Sequence, residues 1–146
     1  MNSSFASVPT NRRAPVNHGW LMLAILWTGF VLFMNAQPGS TISRVKVSWF
    51  DVPHADKIAH LCFYFGMSFL LLRAVLPYRP DLRSPVERPV FFAFLLPVCL
   101  GVAEELHQRF VPGRSAELLD LAMDTLGALL GVSLCLAWER FQVGRR

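Results

Sequence analysis

Four apolar stretches, separated by polar and proline-bearing connections, dominate the pattern along this chain. The first, about residues 18–36, contains the uncharged run WLMLAILWTGFVLFMN from Trp20 to Asn35. The second, about 56–76, opens on Asp56-Lys57 and continues from His60 as HLCFYFGMSFLLLRAVL. The third, about 89–108, reads PVFFAFLLPVCLGVAEELHQ, and the fourth, about 117–138, reads ELLDLAMDTLGALLGVSLCLAW. Each approaches the roughly 17–25 residues that a helix needs to cross a hydrocarbon core. None alternates strictly, and backbone groups in lipid must be satisfied internally, so the pattern predicts helices. The expected fold is all-α: a polytopic membrane protein with four transmembrane helices in one bundle. A single domain over 1–146 is expected, with a longer extracytoplasmic connection between the first two spans. Pro97 should kink the third helix, because it removes a backbone hydrogen bond and crowds the preceding turn.

Composition agrees. Hydrophobic residues make up 53% of the chain and charged residues 16%, against about 25% charged in a soluble domain. Arg12 and Arg13 precede the first span, as they would in a signal peptide, but Met34-Asn35-Ala36 offers only one small residue for cleavage. A retained helix is the expectation. Cys62, Cys99 and Cys135 stand singly in three spans without CxxC spacing and read as small buried apolar residues. There is no basic stretch interleaved with aromatics, Gly-rich phosphate loop, zinc-finger spacing or HExxH pair. Nucleic acid, a bound cofactor and a resident metal are therefore not expected.

The basic residues orient the bundle. Nine lie on one side: Arg12, Arg13, Arg73, Arg79, Arg83, Arg88, Arg140, Arg145 and Arg146. Five lie on the other: Arg44, Lys46, Lys57, Arg109 and Arg114. The positive-inside rule puts both termini in the cytoplasm. The start of span two, the end of span three and the start of span four then meet outside. Trp49 and Phe50, in the first connection, suit the headgroup region or a lid over that end.

Polar residues within the spans gather at that same end. Asp56, His60 and Tyr64 share one helical face, with Lys57 beside them. Gly101, Glu104, Glu105 and Gln108 share another. Glu117, Asp120, Asp124, Gly127 and Gly131 form a stripe that changes from acidic to glycine. The Gly127/Gly131 spacing allows a neighbouring helix to approach closely. Asp124 lies two turns into its helix and must be protonated or buried against Lys57, His60 or Arg114. His107 points to a different face from Glu104 and reads as an interfacial residue. Pro112-Gly113 should make the turn that returns Arg114 to the bundle, either to grip a phosphate or carboxylate or to pair with Glu105 or Asp120.

Taken in order, Asp56-Lys57-x-x-His60, Glu105-x-x-Gln108-x-x-x-Pro112-x-Arg114-Ser115 and Asp120-x-x-x-Asp124-x-x-Gly127-x-x-x-Gly131 resemble the VanZ-like family. Its members are small integral membrane proteins of bacteria, named for one linked to low-level teicoplanin resistance. The similarity runs from about His54 to Gly131, and many members carry Asn where Asp124 stands. The resemblance implies a four-helix protein of the bacterial cytoplasmic membrane, connected with the cell envelope or the glycopeptide response.

Three functions fit these residues. In the first, Asp56, Lys57, His60, Glu105, Gln108, Arg114, Asp120 and Asp124 line an outer-face pocket, within the membrane lipids, for a polar headgroup such as a lipid-linked phosphate or a wall-precursor peptide. Lys57 and Arg114 supply positive charge, and the acids keep the pocket near neutral. In the second, the cluster is an enzyme acting on such a headgroup, with His60 or Glu105 as the acid–base group. In the third, it is a buried ion-pair lattice that fixes helix register.

Overall fold

The computed structural model describes residues 16–38, 54–76 and 86–145. They form four helices: α1 (His18–Asn35), α2 (Ala55–Val75), α3 (Glu87–Gln108) and α4 (Leu118–Gly144). No strand occurs among the described residues. All four are long and apolar enough to cross a membrane, and the protein is a multi-pass, all-helical membrane protein. Arg12, Arg13, the Trp49-Phe50 pair and most of the connection from Pro77 lie outside the described residues.

Helix ends follow local chemistry. The Asn17 side chain accepts the Trp20 N–H at 3.3 Å and caps α1. His54, immediately before α2, adopts left-handed geometry with φ 63°. Pro97 lies buried inside α3, which runs unbroken through it. α3 begins at Glu87, two residues before the expected Pro89, and α4 continues to Gly144, six beyond the expected Trp138. At 27 residues and about 1.5 Å per residue, α4 is about 40 Å long. That exceeds a hydrocarbon core of about 30 Å, a surplus that tilt or projection of the last turns would absorb. The charged Glu139 and Arg140 made the end of this helix look like a loop.

Packing is uneven. α2 and α4 form the most extensive pair, α1 lies against α2, and α1 scarcely touches α3. The α2–α4 seam is set by Gly127 and Gly131: a Cβ on either would overlap a backbone carbonyl oxygen of α2, Leu61 or Phe65 respectively. Lipid tails are as apolar as the side chains, so close van der Waals contact of this kind holds helices together. α1 docks by directed bonds. Trp27 donates its indole N–H to the Phe63 carbonyl at 2.9 Å, and its ring lies where Gly66 leaves room. The Asn17 N–H reaches the Ala74 carbonyl at 3.0 Å.

Large apolar side chains such as Leu26, Phe33, Phe92 and Leu129 face outward, where lipid would cover them. Of the three cysteines only Cys135 is buried; Cys62 and Cys99 are on the outer surface, contrary to the expectation. In spans apolar on every side, periodicity does not separate inward from lipid-facing positions. At the end where α1 begins and α4 finishes, Arg73 forms an ion pair with Glu139, and its guanidinium stacks 5.3 Å from the centroid of the Trp20 ring.

Candidate functional site

The opposite end of the bundle collects the polar residues. Here α1 and α3 finish and α2 and α4 begin. The connection from α3 to α4 is a tight turn in which the Arg114 N–H bonds to the Val111 carbonyl at 3.1 Å. Pro112 and Gly113 occupy its two central positions. Gly113 has φ 76°, the geometry that favours glycine after proline in a type II turn. That turn brings Arg114 back over the bundle, as its sequence suggested.

Lys57 is the hub of the outermost layer. Its ammonium lies 2.6 Å from Asp120, 2.6 Å from Glu117 and 3.0 Å from Asp56. Lys57 and Asp120 are buried, while Asp56 and Glu117 remain half exposed or more. Three carboxylates thus surround one ammonium, joining α2 to the start of α4. Glu117 lies just before α4, and its hydrogen bond to Lys57 holds its carboxyl below the usual carboxylate range.

One layer further in, His60 Nδ1 lies 2.9 Å from Asp124 Oδ1. Of the three partners open to Asp124, the structure selects His60. Gly101 makes space for this acid, since a Cβ there would come within 2.8 Å of Asp124 Oδ2. Glu105 does something else: its Oε2 accepts the Glu117 N–H at 2.7 Å, tying α3 to the start of α4. A carboxylate at that position satisfies one of the orphan donors of a helix N-terminus and complements its dipole.

Glu104 is the member that sequence reasoning did not select. Its Oε2 accepts the Tyr64 hydroxyl at 2.8 Å and the side-chain amide of Asn35, so that α1, α2 and α3 meet on one carboxylate. Helical side chains lean toward the N-terminus, which carries the Tyr64 hydroxyl up from inside the bundle to this end. The shared face of Gly101, Glu104 and Gln108 was a readable signal; Asn35, at the last position of its helix, gave none.

Several buried polar atoms here have no partner among the described residues. Apart from Asp120 Oδ1, which lies against the Lys57 ammonium, they are Glu104 Oε1, Glu105 Oε1, Asp124 Oδ2 and Gln108 Nε2. Buried polar atoms are almost always satisfied, so four such atoms in one cluster mark a place where a further molecule, water included, would be accepted. Arg114 pairs with neither Glu105 nor Asp120. Its Nε instead donates to the Gln37 backbone carbonyl at 3.4 Å, which ties the α3–α4 turn to the end of α1.

Six carboxylates (Asp56, Glu104, Glu105, Glu117, Asp120 and Asp124) thus share this end with Lys57, Arg114 and His60. Glu104 and Glu117 thereby join the acids expected at this end. Two cavities of about 200 Å³ flank it. One opens between α1 and α3 and is bordered by Asn35, Glu104 and His107. The other lies against Glu105, Arg109 and Glu117. Among the described residues no group of three or more His, Cys, Asp or Glu side chains is arranged to hold a metal ion.

A family model described as VanZ/LLP1 matches residues 20–139. No curated protein and no solved structure gives a significant match.

Proposed function

The chain belongs to the VanZ/LLP1 family, and we propose that its polar end receives the phosphate-bearing headgroup of an envelope lipid, either a phospholipid or a lipid-linked wall precursor. One observation carries this reading. In an end that holds six carboxylates, Arg114 is half-buried yet has no carboxylate partner among the described residues, while Lys57 holds three. Fixed through Nε to a backbone carbonyl, the Arg114 guanidinium keeps its terminal N–H groups for an incoming anion. The planar fork matches phosphate or carboxylate at two points. Gln108, buried at the same end, supplies an unpartnered amide N–H.

The test compares Arg114→Lys with Arg114→Ala in purified full-length protein, reading retained phospholipid by native mass spectrometry. Arg114→Lys keeps the charge and the amount of folded protein but loses the two-point grip, so retention should fall about tenfold. Unchanged retention in both variants removes Arg114 from any ligand role.

The nine-to-five distribution of basic residues favours an orientation with this end outside the cytoplasmic membrane and both termini inside. Arg73 and Lys57 are each neutralised by an ion pair, which takes one charge from either side and preserves the bias. A Cys at Gly113 should be labelled from outside and one at Arg83 should not, in a background without native cysteines; the reverse pattern inverts the assignment. Facing outward, the site would act on envelope lipid or wall precursor, the route by which a member of this family would influence a glycopeptide response.

The His60–Asp124 pair favours a second reading, an enzyme acting on the same headgroup. A carboxylate on Nδ1 fixes the ring's tautomer and orientation. It would leave Nε2 as acid or base, while Glu105 is occupied with the start of α4. Turnover of a lipid by purified protein, abolished in His60→Gln, would establish that reading; absence of turnover across envelope lipids would remove it.

A further inference from the structure

The cavity between α1 and α3 differs in kind from the rest of the polar end. It opens sideways, because α1 and α3 scarcely touch, and its lip is apolar: Leu32 and Ala36 from α1, Leu100 and Ala103 from α3. At its back is Glu104, only 8% exposed, with Oε1 unpartnered. The other oxygen of that carboxylate already accepts from two neutral donors, Tyr64 and Asn35. No Lys, Arg or His among the described residues forms an ion pair with Glu104. A buried carboxylate without a counter-cation is costly, and a small cation at Oε1 would remove that cost. His107, exposed on α3, borders the same cavity and supplies a ring N–H at its rim.

We propose that this lateral cavity takes the headgroup of a lipid ending in a primary ammonium, with the ammonium against the Glu104 carboxylate and the phosphate toward His107 and the rim. The lipid enters from the bilayer, its chains leaving over Leu32 and Leu100. About 200 Å³ accommodates an ethanolamine-sized group. Gln37, whose carbonyl accepts from Arg114, follows directly on Ala36 of the lip. The proposal rests on the reading that the polar end receives a headgroup, and adds which headgroup and by what route.

Native mass spectrometry of the full-length protein, titrated with three phospholipids of identical acyl chains, tests it. The probes are phosphatidylethanolamine, phosphatidylcholine, whose trimethylated nitrogen has no N–H donors, and phosphatidylglycerol, which has no cation. Phosphatidylethanolamine should be retained about tenfold over either of the others, the order of one buried charge-assisted hydrogen bond. Glu104→Gln should erase that preference. Should Glu104→Gln fail to fold, Ala103→Trp decides, since it fills the lip without touching the Glu104 bonds, and it too should erase the preference. Arg114→Ala should lower retention of all three lipids and keep their ratio, so a failure of the Arg114 reading shows separately. Equal retention of the three by the unaltered protein overturns the proposal, as does a preference that survives both Glu104→Gln and Ala103→Trp.

Discussion

The α2–α4 seam and the α1–α3 junction are built on opposite principles. At the seam, two glycines remove side-chain atoms so that backbones meet, and Lys57 locks the polar end with carboxylates from both helices. At the junction, two helices barely meet and a cavity remains between them, closed at its back by Glu104. The difference teaches where each property resides: rigidity comes from the seam, and space for another molecule comes from the helix attached most lightly. Keeping α2 and α4 fixed lets α3 hold its acids in register while α1 bounds an opening.

The contrast can be broken most severely at the glycines. Gly127→Leu forces a side chain onto the Leu61 backbone, which cannot yield as a flexible side chain would. Overpacking ordinarily costs about 1–3 kcal/mol, and displacement of a backbone puts this change at the top of that range or above. Adding Gly131→Leu should abolish the folded bundle, read as loss of protease-resistant protein in the membrane. Near wild-type resistance in the double variant would show that the seam is not the rigid element.

Next in size is Lys57→Ala. Among its partners only Asp120 is buried, and stranding that charge should cost roughly 3–5 kcal/mol at most, less if water reaches it. Lys57→Ala/Asp120→Asn should recover much of the loss in a reversible unfolding measurement. If the paired change recovers nothing, Lys57 acts through something other than Asp120.

Trp27→Phe gives the smallest effect and sharpens the other side of the comparison. It removes the bond to the Phe63 carbonyl, worth about 1 kcal/mol. The acceptor keeps its place in the α2 ladder, so no orphan is created. Hydrogen exchange should rise in α1 while α2 and α4 keep their protection. Equal acceleration in all four helices would mean that α1 is not a separately attached element.

Much of this architecture was legible in sequence, for identifiable reasons. Four long apolar runs fixed the helices, and the Gly127/Gly131 stripe marked a close contact, although which helix filled it could not be read because span order does not specify neighbours. Pro112-Gly113 foretold the turn, and the register of Asp124 foretold a buried partner. Arg114 bonds to a main-chain carbonyl, a partner that no residue pattern encodes. Glu104 was overlooked because its partners come from two other helices. One of them, Asn35, occupies a helix boundary, where an amide draws no attention. The outward-facing Cys62 and Cys99 show the same limit, since a uniformly apolar helix does not display its inner face.

α1 is joined to α2 through main-chain oxygens, those of Phe63 and Ala74. No substitution in α2 can delete such an acceptor; only loss of the helix itself can. Of the two α1 donors only the Trp27 indole is a side chain, since Asn17 donates through its main-chain N–H, and Gly66 leaves room for that indole. Phe63, Tyr64, Met67 and Arg73 of α2 also pack against α1, so an α1 from a distant relative could be grafted onto this core if it brought its indole to the same height and fitted those side chains. The first helix is in this sense an interchangeable part, and exchanging it would reshape the α1–α3 cavity while leaving the Lys57 lattice in place.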